Sequence, residues 1–102
     1  MIKVSVVYPN EEGSSFDIGY YVDKHVPLCQ KLLGPALLKV EIDEGISGAA
    51  PDSRAPFVAA VHLYFASTAS FYDNFGPHAK AIRADVPNYT NIKPVTQIAK
   101  LR

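Results

Sequence analysis

The sequence predicts an α+β domain in which two helices cover one face of a four-stranded antiparallel sheet. Four segments alternate apolar and polar residues with the period of two that is typical of strands, and two segments carry apolar residues at helical spacing. The segments follow one another in the order β-α-β-β-α-β. Because parallel crossovers are right-handed, this order predicts the ferredoxin-like βαββαβ sandwich.

The first strand and the first helix are predicted over residues 1–9 and 16–33. The strand segment is rich in β-branched side chains, and the helix segment repeats large apolar residues at helical spacing. Pro27 lacks a backbone N–H and restricts the residue before it. We therefore expect Val26 to leave α geometry and the helix to be kinked or broken beside His25.

Two further strands are predicted over residues 36–46 and 57–66. The first alternates aliphatic with charged side chains, so one of its faces is expected to be exposed to solvent. The second is apolar at most positions, as in a central strand. Residues 45–56, between them, collect small residues and prolines without periodicity. This loop either lies over the mouth of a pocket or only connects the strands.

The second helix is predicted over residues 68–84 and the last strand over residues 91–101. Gly76 and Pro77 should interrupt the helix in its middle. Pro94 cannot donate a ladder hydrogen bond, so it indicates an edge position or a bulge for the last strand.

Length and charge limit the classes of protein to consider. The 102 residues are enough for one domain, so residues 1–102 are predicted to form a single unit. Ten basic and ten acidic side chains cancel, and no stretch concentrates Lys and Arg, so nucleic acid is excluded as an expected partner. The apolar run at residues 2–8 is much shorter than a membrane span, so no membrane contact is expected. A single cysteine, Cys29, gives no sign of an oxidising compartment and favours a cytoplasmic location.

The predicted fold leaves one face of the sheet without helices. We expect this bare face to carry apolar and aromatic groups, which must be covered by another surface. A second copy of the chain is the simplest cover, so the sequence predicts a homodimer that packs through its sheet faces.

Two strings carry a family resemblance, YYVDKHVPL at residues 20–28 and PNYTNIKPVTQIAKL at residues 87–101. They resemble the EthD family, which is named for ethyl tert-butyl ether degradation, and the resemblance covers nearly the whole chain. It implies membership of the dimeric α/β barrel superfamily, in which two ferredoxin-like subunits pack sheet against sheet and each keeps a pocket between its sheet and its helices or loops. The superfamily includes monooxygenases, isomerases, cyclases and proteins without known activity, so the resemblance does not determine the function.

His25 is the first candidate for chemistry. The resembled motif holds a histidine at this position, relatives in lactone isomerisation use such a histidine as acid or base, and imidazoles exchange protons near neutral pH. In the alternative interpretation, His25 only donates to a carbonyl freed by Pro27. Tyr21, four residues earlier, shares its helical face and is predicted to position a ligand or bond the imidazole, whereas Tyr20 is expected to pack.

The third strand places His62 and Tyr64 on one face. They either direct polar groups into an apolar ligand chamber or form hydrogen bonds across the dimer interface. By the same alternation Ser5 and Gln97 are predicted to line that chamber, and Tyr8 is predicted to close its rim.

Cofactor and metal chemistry are not expected. The three histidines have no Glu or Cys at ligand spacing, and the chain has no nucleotide-binding glycine motif. His78 lies where some haem-binding members of the superfamily place an axial ligand, but the Gly-Pro before it interrupts the helix, so a solvent-exposed side chain is favoured. Cys29 lies in a helix body, where burial is favoured over nucleophilic use.

Two functions remain open from the sequence. One is a small enzyme that binds an apolar, oxygenated or aromatic molecule and uses His25 for isomerisation, cyclisation or cofactor-free oxygenation. The other is a non-catalytic binding or accessory protein that assists a monooxygenase degradation system. The sequence shows no second acid or base beside His25, which keeps the second function open.

Overall fold

The computed structural model describes all 102 residues and confirms the predicted sheet. Its strands are β1 (Ile2–Pro9), β2 (Lys39–Glu44), β3 (Phe57–Phe65) and β4 (Val95–Lys100). They lie in the order β2-β3-β1-β4, and every neighbouring pair is antiparallel. This is the ferredoxin-like arrangement. The edge position of β4 confirms what Pro94, the residue before it, predicts.

The first helical segment has three parts: α1 (Ile18–Tyr20), a π-helical turn (Tyr21–His25) and α2 (Val26–Leu33). The expectation that Val26 leaves α geometry is wrong, because its φ and ψ are −64° and −42°. Pro27 is the second residue of α2 and directly follows the π-helical turn, so its missing N–H falls at the junction of the two helical parts. The irregularity lies in the preceding turn, which is wider than an α-helical turn.

The second helical segment consists of α3 (Thr68–Phe75), a 3₁₀ turn (Gly76–His78) and α4 (Ala79–Asp85). The 3₁₀ turn confirms the predicted interruption at the Gly-Pro pair. The hydroxyl of Ser67 caps α3 by accepting from the backbone N–H of Ser70. No helix of the chain is long and apolar enough to span a bilayer.

Two further 3₁₀ turns, Gly34–Ala36 and Val86–Asn88, follow the helical segments. Gly34 ends α2 with a φ of 60°, a conformation that favours glycine. The chain then enters β2 after the first turn and reaches β4 after the second.

The core lies between the two helical segments and one face of the sheet. Tyr21, Phe65 and Val4 are the largest side chains that are almost completely buried there. Paired positions along this covered face are apolar, for example Val4 opposite Leu63 and Ile98. Burial of this face is the main source of stability that the sheet and the helices share.

The open face of the sheet is more polar than the sequence analysis expects. One row is apolar over three strands, since Val7 pairs with Ala60 and Val95, and it ends at Asp43 of β2. The other rows are mostly charged or hydrogen-bonding, because the residues that alternate with the core positions are polar. The polar members are Lys3, Ser5, Lys39, Glu41, Asp43, His62, Tyr64 and Gln97.

Candidate active site

A cavity of about 500 Å³ lies between the covered face of the sheet and the two helical segments. Of its 21 lining residues, 16 are hydrophobic, so a ligand that fills it must be largely apolar. The lining residues that carry polar or ionisable groups are Tyr8, Tyr21, His25, Cys29, Tyr72, Arg83, Tyr89 and Thr96.

His25 lies on the π-helical turn and is only 4% exposed, yet it lines the cavity. Its Nδ1 atom is 2.8 Å from Oδ2 of Asp85, and its Nε2 atom is 3.8 Å from Sγ of Cys29. The interpretation that His25 bonds a carbonyl freed by Pro27 is therefore wrong, because its partner is a carboxylate on the second helical segment.

Asp85, the last residue of α4, is held by three donors. Besides His25, the Tyr20 hydroxyl donates to Oδ1 at 2.7 Å, and the Asn88 amide donates to the same oxygen at 2.9 Å. Burial alone would raise the pKa of Asp85, but the hydrogen bonds from Asn88, His25 and Tyr20 outweigh it and hold the pKa below its ordinary value of 3.8. The carboxyl group is therefore ionised at neutral pH. The expectation that Tyr20 only packs is wrong, since its hydroxyl orients this carboxylate.

An ionised carboxylate can only accept hydrogen bonds, so Nδ1 of a neutral His25 must carry the proton. Its Nε2 atom is then the acceptor, and the neighbour within reach of it is the weak S–H donor of Cys29. This is the tautomer that a general base needs, and the negative charge of Asp85 stabilises the imidazolium that forms when His25 takes up a proton.

Two tyrosines flank the imidazole, and a third, Tyr8, bonds one of them. The hydroxyls of Tyr8 and Tyr89 are 2.8 Å apart, and the rings of Tyr21 and Tyr89 lie 5.4 Å and 4.6 Å from that of His25. Burial raises the pKa of all three phenols, so they remain neutral and act as hydrogen-bond donors and acceptors. They cannot supply a phenolate base at neutral pH.

The thiol of Cys29 also stays protonated at neutral pH. Burial, assisted by the negative charge of Asp85, raises the pKa of Cys29 to about 11. Since only the thiolate is a strong nucleophile, Cys29 serves as a neutral thiol whose S–H donates weakly to Nε2 of His25. Neither the phenols nor the thiol of the cavity therefore supply a base at neutral pH, which leaves the imidazole as the candidate base.

The structure brings together three of the predicted site residues, Tyr8, Tyr21 and His25. Tyr8 is 3% exposed and forms part of the cavity wall, so the expectation that it closes the rim is wrong. Side chains alternate along a strand, and Val4 and Val6 of β1 point into the cavity.

The other four predicted residues lie on the open face of the sheet and do not share the chamber of His25. They are Ser5, His62, Tyr64 and Gln97. Ser5 Oγ is 2.8 Å from Nδ1 of His62, whose Nε2 is 3.0 Å from Oδ2 of Asp43. The Tyr64 hydroxyl donates to the carboxylate of Glu41. Their predicted part in ligand binding or in a dimer interface stays a prediction.

Two other sequence features lie outside the cavity. His78 is half-buried and does not line it, and residues 45–56 contribute no lining side chain. A backbone hydrogen bond from Gly48 to Ser53 closes that loop on itself, so it connects β2 and β3 without covering the cavity. No group of three or more His, Cys, Asp or Glu side chains is arranged to hold a metal ion.

Comparison with known proteins identifies the family. The EthD domain model matches residues 13–93. The chain belongs to the EthD family. The matched residues include both His25 and Asp85. No curated protein matches the chain.

Solved structures agree with this EthD assignment. An EthD-like protein from Ralstonia eutropha JMP134 is 38% identical, with 97% of this chain and 89% of that chain covered and a TM-score of 0.93. An ethyl tert-butyl ether degradation (EthD) family protein from Bacillus halodurans C-125 is 20% identical, with 100% and 99% covered and a TM-score of 0.75. A hydroxynitrile lyase from Passiflora edulis shares the fold, at 18% identity, 99% and 94% coverage and a TM-score of 0.65.

Proposed function

We propose that this EthD protein binds a small, largely apolar molecule in its cavity and moves a proton on that molecule with His25. The observation that supports this most directly is the pair of His25 and Asp85, in which the carboxylate holds Nδ1 at 2.8 Å and leaves Nε2 as the proton acceptor of a residue that lines the cavity. A base that is oriented in this way in an apolar chamber suits isomerisation, cyclisation or cofactor-free oxygenation.

The surroundings of His25 support a ligand with at least one oxygen atom. The hydroxyls of Tyr8, Tyr21 and Tyr89 are neutral, and although Tyr8 and Tyr89 bond each other, one O–H of that pair is left to donate to a ligand. Such donors stabilise charge that develops on a carbonyl or phenolic oxygen. The volume of about 500 Å³ lies within the usual range for ligand pockets. The hydroxynitrile lyase among the fold neighbours shows that an enzyme can be built on this fold.

A carbon acid tests the proposal without knowledge of the natural substrate. In 5-nitrobenzisoxazole, a base removes the ring C–H proton, the electrons of that bond form a nitrile, and the N–O bond breaks to leave a coloured nitrophenolate. We expect saturable turnover at about 10²-fold or more above the rate with an equal concentration of free imidazole. Absorbance of the nitrophenolate measures the rate. Saturable binding of the probe without turnover would contradict proton transfer and favour the non-catalytic binding protein.

We also infer that two copies pack through the open faces of their sheets. The apolar row of Val7, Ala60 and Val95 lies on this face, and 56% of the Val95 surface is exposed. The neighbouring polar groups of Ser5 and His62 already bond each other, so covering them leaves few hydrogen bonds unmade. The dimeric barrel that the family resemblance implies uses the same face.

Light scattering tests the dimer. We expect twice the 11.1 kDa of one chain, and we expect Val95→Glu to give a monomer because it places a charge on the apolar row. Val22→Glu is the matched control, since Val22 is exposed to a similar extent but belongs to the helical layer. A monomeric parent protein, or a dimer that Val95→Glu leaves intact, would contradict this interface.

A further inference from the structure

The mouth of the cavity is defined by its four exposed lining residues, Tyr72, Gly76, Arg83 and Thr96. Three belong to the second helical segment and one to the edge strand β4, so the cavity opens between these two elements. The rest of the lining is buried or half-buried. A ligand must therefore enter past these four residues.

Arg83 is the one permanently charged side chain in the cavity lining. Ala79, Ile82 and Arg83 of α4, together with Val86 directly after it, follow the spacing of one helical face, and all four line the cavity. Ile82 is buried in the wall of the cavity, whereas Arg83 is exposed. Arg83 therefore lies where this helical face reaches the mouth of the cavity. The aliphatic stem of arginine can follow the apolar wall while its guanidinium stays in water.

No anion of the chain pairs with Arg83. The ion pairs of the structure join other residues, and the Arg83 guanidinium makes no side-chain hydrogen bond. Asp85, two residues along α4, faces away because residues at that spacing do not meet on a helix, and His25, Tyr20 and Asn88 already occupy it. A cation with five donors is thus free at the mouth of an apolar cavity.

We propose that the ligand is a monocarboxylate with an apolar, aromatic or alicyclic body, and that Arg83 binds its carboxylate at the mouth. The guanidinium matches a carboxylate in a bidentate geometry. Since Arg83 is the only lining cation besides a protonated His25, a singly charged anion fits the mouth better than a doubly charged phosphate. In this orientation the apolar body enters the cavity and lies beside His25. This inference rests on the proposed binding in the cavity.

The proposed binding of a carboxylate by Arg83 can be tested with two probes of the same shape, 2-naphthoate and its neutral amide, 2-naphthamide. The chain has no tryptophan, so naphthalene fluorescence reports binding without interference from indole. We expect the parent protein to bind the naphthoate roughly fivefold to tenfold more tightly than the amide near neutral pH, and we expect salt to reduce this preference. Arg83→Gln should abolish the preference, because its neutral amide cannot pair with the carboxylate.

Lys80→Gln is the matched control, because Lys80 is an exposed cation of α4 that does not line the cavity. It should keep the preference for the naphthoate. Equal binding of both probes by the parent protein, or an undiminished preference in Arg83→Gln, would overturn the role of Arg83 while binding in the cavity stands. If neither probe binds the parent protein, the proposed binding function is itself overturned, and the role of Arg83 fails with it.

Discussion

Replacing His25 with Gln should lower the turnover of 5-nitrobenzisoxazole by about 10²-fold or more, because no other group in the cavity accepts a proton near neutral pH. The phenols of Tyr21 and Tyr89 and the thiol of Cys29 all have raised pKa values. The amide of glutamine can still donate to Asp85, so the variant removes the base while a partner for the buried carboxylate remains. The rate is measured at saturating probe, and binding is measured separately with 2-naphthamide.

His78→Gln is the matched control for that variant. His78 is the half-buried histidine of the second helical segment and does not line the cavity, so its replacement should leave the rate unchanged. Urea unfolding of both variants separates a loss of chemistry from a loss of folding. Turnover that survives His25→Gln in a folded protein would contradict the assignment of His25 as the base.

The sheet could be predicted from the sequence because its signal is local. Alternation along β1 and β4 separates core from open-face positions, and the strand order follows from connection rules. The interruption of the second helical segment at Gly76 and Pro77 is a local backbone effect of the same kind. Such features depend on residues that are close together in the chain, so a single sequence is enough to predict them.

The site was only partly predictable, because its partners are distant in the chain. Asp85 lies 60 residues from His25, and nothing at the end of α4 indicates that its carboxylate meets an imidazole. The family resemblance led to His25 and Tyr21. It also included Tyr89 in its second string, but it did not show that this residue bonds Tyr8. Whether a strand residue lines the cavity depends on which face of the sheet the helices cover. The sequence does not show which face that is.

The sequence shows no second acid or base beside His25, which argues against an enzyme. The pairing of Asp85 with His25 in the structure supplies such a group. A lone imidazole lacks a group that selects its tautomer and stabilises its charged form. The carboxylate of Asp85 does both, and Tyr20 and Asn88 hold that carboxylate in place from the other oxygen. A purely structural histidine could be satisfied by one backbone carbonyl, so the three donors around Asp85 favour a positioned base.

Asp85→Asn should therefore lower the turnover of 5-nitrobenzisoxazole by roughly 10-fold to 10²-fold and change the pH dependence of stability. An asparagine is neutral, so it stabilises the imidazolium less and no longer fixes the proton on Nδ1 of His25. Its amide nitrogen also cannot accept from Tyr20 or Asn88. Replacing a carboxylate that is 15% exposed and held by three donors should reduce the free energy of unfolding by about 1–3 kcal/mol at pH 7.

The lowered pKa of Asp85 determines the direction in which the free energy of unfolding changes with pH. The pKa of Asp85 in the folded protein lies below its ordinary value of 3.8, so its ionised form stabilises the fold fully above that value. This contribution is lost as the pH falls below 3.8 through the lowered pKa. The difference in unfolding free energy between the parent protein and Asp85→Asn should thus shrink as the pH falls from 3.8 toward pH ~3. Urea unfolding at one fixed protein concentration measures it, because dimerisation would otherwise add to the stability. A difference that stays constant down to pH ~3 would mean that the Asp85 carboxylate is not held in its charged form by these donors.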